Sequence, residues 1–298
     1  MDETKIRLTL PEGFSLQNIK GKICVFGESW RREMLSLAAE TDPARRAIRH
    51  LRGRGRPAVV EAGESTLVVR HYYHGGALRK LTGDLFPGPR RFLNELRLLA
   101  AARRAGVAVP EPVGVLIEPV FGFLARCDLV TAYIPESVDL LSHYRNSLAA
   151  AGPGPGSLAA VIASAGRQVA SLHRAGISHG DLQFKNILVV PGRLRPRAVI
   201  LDLDRGRRSP DGKAARVANL ARLHRSFLKM RLSLPDVSRY DPIRFLRFYA
   251  PRDRNFRRSV VEEIRRRSGR NLLHRWKWKL SFRLGGGYYA RSMGRRKK

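Results

Sequence analysis

His179-Gly180-Asp181-Leu182-Gln183-Phe184-Lys185-Asn186-Ile187-Leu188, followed after a short loop by Ile200-Leu201-Asp202-Leu203-Asp204, is the stretch that decides how the chain is read. The run ILVV after Asn186 and the run AVIL before Asp202 read as two short strands joined by a loop at Pro191–Pro196. The polar residues therefore fall at the ends of a β-ribbon. Phosphoryl transfer needs a carboxylate to orient and deprotonate a hydroxyl, an oxygen ligand for Mg²⁺ a few residues on, and a second carboxylate bridging the metal to the β/γ-phosphates. Asp181, Asn186 and Asp202 supply these in that order, as base, metal ligand and main metal carboxylate. His179 is expected to brace the backbone of this loop. Asp204 is expected to form an ion pair with its neighbours Arg205 and Arg207.

The complementary parts lie upstream. GRGRPAVV (Gly53–Val60) and GESTLVVRHYY (Gly63–Tyr73) place β-branched residues on either side of a Gly turn and read as a hairpin. Gly53 and Gly55 would let backbone N–H groups approach phosphates, and Arg70, at the end of TLVV, would face the α/β-phosphates. Phe92, Leu96, Leu99 and Ala100 recur at helical spacing within a helix from Arg90 that stops at Gly106. Glu95 on that helix is placed to pair with Arg70. Two further strands, VAVPEPVGVLIE and FGFLARCDLVTAYI, lead to a hinge at Ala132–Ile134. There the main chain around Tyr133 would meet adenine. Each of these signals is weak alone; their order and spacing carry the reading.

The reading divides the chain into an N-terminal extension with a strand and a helix (1–50), a small β-rich N-lobe (51–135), a helical C-lobe with the catalytic loop (136–240) and a basic helical extension (241–298). AGPGPGS (Ala151–Ser157) reads as a flexible break before a helix marked by Leu158, Val161, Ile162, Val169 and Leu172. The expected class is α+β, a two-lobed protein-kinase-like fold with a cleft between the lobes.

The chain has 298 residues, of which 43% are hydrophobic, enough to bury a core. Two distant cysteines, Cys24 and Cys127, exclude a disulfide framework and a cysteine-ligated zinc site and favour a reducing compartment. No signal peptide or membrane span is read in it. With 57 Lys+Arg against 25 Asp+Glu the net charge is +32, which points to an anionic partner. Residues from Arg244 onward hold 19 of the cations and 3 of the acids, with Trp276, Trp278 and Phe282 interleaved. That pattern suits an anionic lipid interface, where indole rings settle at headgroup level, although a solvated basic end has the same composition.

The segments GRGRPAVV, VRHYYHGGALRKL, FLNELRLLAAARRAGVAVPEPVGV, HGDLQFKNILV, ILDLDRG and NLARLHRSFLK, in this order, resemble the lipopolysaccharide kinase family, most closely its 3-deoxy-D-manno-octulosonic acid (Kdo) kinases of Gram-negative bacteria. The resemblance runs from about Gly53 to Lys229, and the RHYYxGG and NLxRLxRSF segments are its most diagnostic parts. It implies ATP with Mg²⁺ (or Mn²⁺) as cofactors and transfer of the γ-phosphate to a core-sugar hydroxyl. For a Kdo kinase this is the 4-hydroxyl of Kdo on a lipid A precursor, at the cytoplasmic face of the inner membrane. On this resemblance Asp181 is the base, Asn186 and Asp202 the metal ligands, and Arg70 and Glu95 the phosphate-facing pair, with Arg70 where protein kinases carry lysine. The implied partners are the lipid-linked Kdo precursor and an anionic membrane surface met by the basic C-terminal region.

Heptose kinases of the same family remain an alternative, as do an aminoglycoside-type phosphotransferase and an atypical Ser/Thr kinase. Only about ten residues separate Asp202 from the next helix, little room for a peptide platform. A nucleic-acid-binding protein is the reading from another class; no recognised nucleic-acid module accompanies the charge, and no specific nucleic acid is expected. A pseudokinase is disfavoured because all three polar residues of the loop and ribbon are present.

Overall fold

The computed structural model describes residues 10–51, 56–74, 83–149, 157–193, 195–208 and 212–270, with side chains to Arg266. Its elements, in order, are β1 (Phe14–Ile19), β2 (Lys22–Gly27), α1 (Arg31–Ala38), β3 (Ala47–His50), β4 (Ala58–Ala62), β5 (Ser65–His71), β6 (Phe86–Pro87), α2 (Arg90–Arg104), β7 (Pro112–Phe121), β8 (Leu124–Ala132), β9 (Val138–Asp139) and α3 (Leu140–Ala149). There follow α4 (Leu158–Arg174), β10 (Ile177–Ser178), β11 (Ile187–Val190), β12 (Arg197–Ile200), β13 (Arg207–Arg208), α5 (Lys213–Ser233), α6 (Asp241–Tyr249) and α7 (Arg254–Arg270).

Alternation does not describe β2 and β7. Ile23 through Gly27 and Pro112 through Ile117 are buried without interruption, the signature of a strand covered on both faces. The cause is visible in the packing. The N-terminal sheet runs β1-β2-β7-β8-β5-β4-β3, with β6 attached to β8. On one face Met34 and Leu37 of α1 pack with Cys24, Phe26, Val60, Leu67 and Val130. On the other, Phe92, Leu96 and Leu99 of α2 pack with Val25, Val115 and Leu129, and this cluster continues into Val161, Leu172 and Ile200 of the helical half. Cys24 and Cys127 are free thiols in opposite clusters. Residues before 51, set apart above as an extension, thus supply three strands of the sheet and the helix that covers its outer face.

The helical half is built on α4, whose N-terminus is capped by Ser157 Oγ, which accepts from Ala160 N at 3.3 Å. Residues Val161 to Gly166 of α4 are all buried, because the helix is packed by α6 on one side and the β11–β12 ribbon on the other. The ribbon pairs Ile187 with Ile200 and Val190 with Arg197, and β9 adds a third strand. The ribbon is anchored to the linker after α2 by Ile200 N, which donates to Ala108 O at 2.8 Å, and that linker is tied in turn to α4, Ala108 N donating to Gln168 Oε1 at 2.8 Å.

At Gly114 of β7 there is no room for a side chain against β2. A methyl there would lie 2.1 Å from Val25 O and 2.7 Å from Met34 Cε. The Val25 carbonyl belongs to a strand covered on both faces and has no room to retreat. Gly114→Ala is expected to cost about 1–3 kcal/mol and to lower the thermal midpoint followed by circular dichroism by roughly 5 °C. An unchanged midpoint would show that β2 and β7 separate freely.

Candidate active site

The site lies between the sheet and the ribbon, where one side chain reaches across. Arg70 projects from β5 into a cleft that Val68, Leu99 and Leu129 also line. Its guanidinium divides its donors. Nη2 donates to Glu95 Oε2 of α2 at 2.5 Å and to Tyr72 Oη at 2.7 Å, and Nη1 donates to Asp202 Oδ1 at 2.7 Å. Tyr72 Oη in turn donates to the same Glu95 oxygen, and the Arg70 fork lies over the Tyr72 ring. A cation taken out of water survives only with its donors satisfied; here a carboxylate from each side of the cleft supplies the countercharge.

Burial pushes the Glu95 carboxyl up to about 7, against the pull of the neighbouring Arg70 charge. Burial also disfavours ionised Asp202, but the charge and hydrogen bond of Arg70 outweigh it and hold Asp202 below the usual carboxylate range. Asp202 sits at φ +61°, a left-handed conformation rare outside glycine. Strain of this kind persists where surrounding contacts over-determine it, and Arg70 supplies one of those contacts.

Asp181 and Asn186 face this group from the loop before β11. Leu201 N donates to Asn186 O at 2.9 Å, continuing the ribbon register and placing Asn186 beside the Leu201–Asp202 step. The Asn186 amide donates through Nδ2 to Asp181 O at 2.8 Å, so its Oδ1 is left as an acceptor. Asp181 Oδ1 accepts from Gln183 Nε2 at 2.5 Å and from Arg222 Nη1 of α5 at 2.9 Å, leaving Oδ2 to face the cleft. Asn186 Oδ1 and the second oxygen of Asp202 form an all-oxygen donor pair. This suits a hard divalent ion whose remaining shell comes from water and phosphate oxygens.

His179 braces, as expected of it. Its Nδ1 accepts from Asp181 N at 3.1 Å, so the proton is on Nε2 and is donated to Leu201 O at 2.9 Å. Burial pushes its pKa down, which keeps the ring neutral. The same loop is clamped from below by Asn219 of α5. Its Oδ1 accepts from His179 N at 2.7 Å, and its Nδ2 donates to His179 O at 2.7 Å. His173, pushed down to about 4 by burial, links Asn219 at 3.0 Å to Tyr249 Oη of α6 at 2.7 Å. Ser226 Oγ accepts from Phe184 N at 3.2 Å. Asn219, Arg222 and Ser226 recur one turn apart on α5, so a single helix face carries the support of the loop.

One reading of the sequence changes here. Asp204 forms its ion pair with Arg91 of α2, through Nε at 2.5 Å and through Nη2, and not with Arg205 or Arg207; the partner lies on another element, which neighbour-based reading could not reach. Tyr133 lines the cleft, but its N–H donates to Thr66 O at 3.0 Å and the Ala132 N–H to Glu111 O at 2.9 Å. A nucleobase would thus find those two amides already engaged. Its ring is covered by Arg49, which donates to Tyr133 Oη. Gly53 and Gly55 lie outside the described residues. Tyr72, Arg91, Gln183, Asn219 and Arg222 were not singled out as site residues. For Tyr72, Gln183, Asn219 and Arg222 the sequence signal was membership of the RHYYxGG, HGDLQFKN and NLxRLxRSF segments; Arg91, one residue before FLNELRLL, lay outside every quoted segment.

The Arg70–Glu95 pair requires ionised Glu95, so its raised pKa gives a definite sign. Phosphoryl transfer is expected to rise as pH passes upward through about 7, and Glu95→Gln should remove that limb while lowering the plateau. A wild-type profile of kcat/KM that is flat across this range would contradict the assignment.

Comparison with known proteins agrees with the fold and the chemistry. Residues 40–249 match the model of the lipopolysaccharide kinase (Kdo/WaaP) family. A 3-deoxy-D-manno-octulosonic acid kinase of Vibrio parahaemolyticus is 33% identical over 181 residues, covering 59% of this chain and 71% of the relative. That of Stenotrophomonas maltophilia is 32% identical over 205 residues, covering 66% and 76%. Among solved structures, WaaP in complex with acyl carrier protein superposes with a TM-score of 0.52 at 19% identity, over 91% of this chain and 93% of that one; this shows a shared kinase-like fold. The chain belongs to the lipopolysaccharide kinase (Kdo/WaaP) family.

Proposed function

We propose that this protein transfers the γ-phosphate of ATP to a hydroxyl of Kdo, the 4-hydroxyl, on a lipid A precursor. The observation that carries the reading is the Arg70 fork, which joins Glu95 to Asp202 at the mouth of a cleft also lined by Asp181 and Asn186. In this reading Asp181 Oδ2 receives the acceptor proton, with Oδ1 held by Gln183 and Arg222 so that the carboxylate cannot turn away. Asn186 and Asp202 would hold Mg²⁺ or Mn²⁺, which would supply countercharge to the transferred phosphate. Arg70, bonded here to Glu95 and Asp202, would present its guanidinium to the phosphates from the same cleft. The Kdo reading draws its support from the names of the curated relatives.

The same proposal places the protein at an anionic membrane surface on the cytoplasmic side, since the acceptor is lipid-linked. Among the described residues no helix is long and apolar enough to cross a membrane, so the docking we propose is peripheral. Residues 271–298 carry 9 Lys+Arg and no Asp or Glu. At about 1 kcal/mol per basic residue near an anionic surface, a few of these suffice for reversible binding.

Two measurements test this. With ATP, Mg²⁺ and Kdo-bearing lipid A precursor, mass spectrometry is expected to find one added phosphate, reduced about 10²–10⁴-fold in Asp181→Ala. Transfer to heptosylated core alone would move the acceptor. Truncation after Arg270 spares Val260 and Ile264, which pack against the core. It should abolish sedimentation with phosphatidylglycerol-containing vesicles while leaving ATP affinity intact; undiminished sedimentation would refute the role of this segment.

A further inference from the structure

Asp181 stands among cations that the phosphate-transfer roles leave unused. Arg222 holds its Oδ1. Lys185 follows it by one turn of the loop, on the short 3₁₀ segment Phe184–Asn186, and is exposed between two buried neighbours. Arg205 comes from the segment after Asp202, and its main chain lies on the residue before Asp181. A methyl at Gly180 would be 2.2 Å from both Arg205 Cβ and Arg205 O. Glycine at position 180 is what permits this approach, so Arg205 is pinned beside the candidate base. Both Lys185 and Arg205 line the same cleft as Asp181.

Lys185 is close enough to Asp202 for its charge to help hold that carboxylate ionised, but the acids nearby bond directly to other cations. Asp202 is taken by Arg70, Asp204 by Arg91, and Asp181 by Arg222 and Gln183. Among the described residues no hydrogen bond or ion pair engages the side chain of Lys185 or Arg205. A neutral sugar presented to Asp181 would gain nothing from two cations without a hydrogen-bonded acid partner beside the base, whereas an acidic sugar would be oriented by them. Resting on the sugar-kinase reading above, we propose that Arg205, assisted by Lys185, forms an anion subsite that binds a carboxylate of the acceptor next to the reacting hydroxyl and so discriminates acidic from neutral sugars. The guanidinium fork matches a carboxylate in two parallel hydrogen bonds, which fixes orientation as well as affinity. A phosphate on the lipid portion offers related chemistry, and the test separates the two.

The experiment measures equilibrium binding, by titration calorimetry on the full chain loaded with a non-hydrolysable ATP analogue and Mg²⁺. Three probes are used: the Kdo-bearing lipid A precursor, its carboxyl methyl ester, and the same acid with its lipid phosphates removed. Wild type is expected to bind the acid about tenfold or more tightly than the ester. Arg205→Ala should erase that difference by weakening the acid alone, Lys185→Ala should erase part of it, and affinity for the ATP analogue should stay unchanged in both. The proposal is overturned if Arg205→Ala weakens acid and ester equally, or if the loss disappears only when the lipid phosphates are removed, which would make phosphate the ligand. Because binding is read independently of turnover, a protein that prefers the acid through Arg205 yet transfers no phosphate to Kdo would retain the subsite and discard the proposed reaction.

Discussion

The guanidinium of Arg70 is the interaction on which the site depends. Among the described residues it is the group that bonds both to the sheet's covering helix through Glu95 and to the end of the ribbon through Asp202. Removing Glu95 would take away the buried countercharge and leave Arg70 only the partly exposed Asp202 as an ion-pair partner. The relative position of the two halves of the cleft is therefore coupled to the same bonds that would orient phosphates. Arg91, reaching from the start of α2 to Asp204, adds a second tie of the same kind. Helix α2 is thus fixed to the ribbon at two points one turn apart.

Beneath the cleft, α5 does for the loop what α2 does for the ribbon. Asn219 satisfies both main-chain groups of His179, Arg222 holds the Asp181 carboxylate, and Ser226 accepts from the backbone of Phe184. Every one of these bonds joins α5 to a segment some forty residues earlier in the chain. Neutral His173 and His179 complete the arrangement, each donating from Nε2, so these two rings add no charge that would compete with Arg222 for the carboxylate.

Much of this was legible before any coordinates. The hairpin at Ala58–His71, the helix from Arg90, the ribbon around Asn186 and Asp202, and the helix from Lys213 all carry short-range patterns, and the structure forms them within a residue or two. The pairing of Arg70 with Glu95 followed from strand and helix spacing. What escaped reading was the division of labour among polar residues. Asp204 looked toward Arg205 in the sequence and found Arg91 instead. Tyr133 lines the cleft, while its amide donates to Thr66.

By itself the sequence determined the local periodicities and the order of chemical groups, because hydrophobic spacing and turn residues act over a few positions and suffice to set strands, helices and the loop between them. Its excess of arginine also raised the expectation of an anionic partner. Only the tertiary structure decided that residues before 51 belong to the sheet, that Arg70 touches Asp202, and that Arg205 lies on Gly180 beside Asp181. These depend on which buried polar group finds which partner when distant segments pack. That choice is made by desolvation and geometry across the folded chain, and no local pattern encodes it.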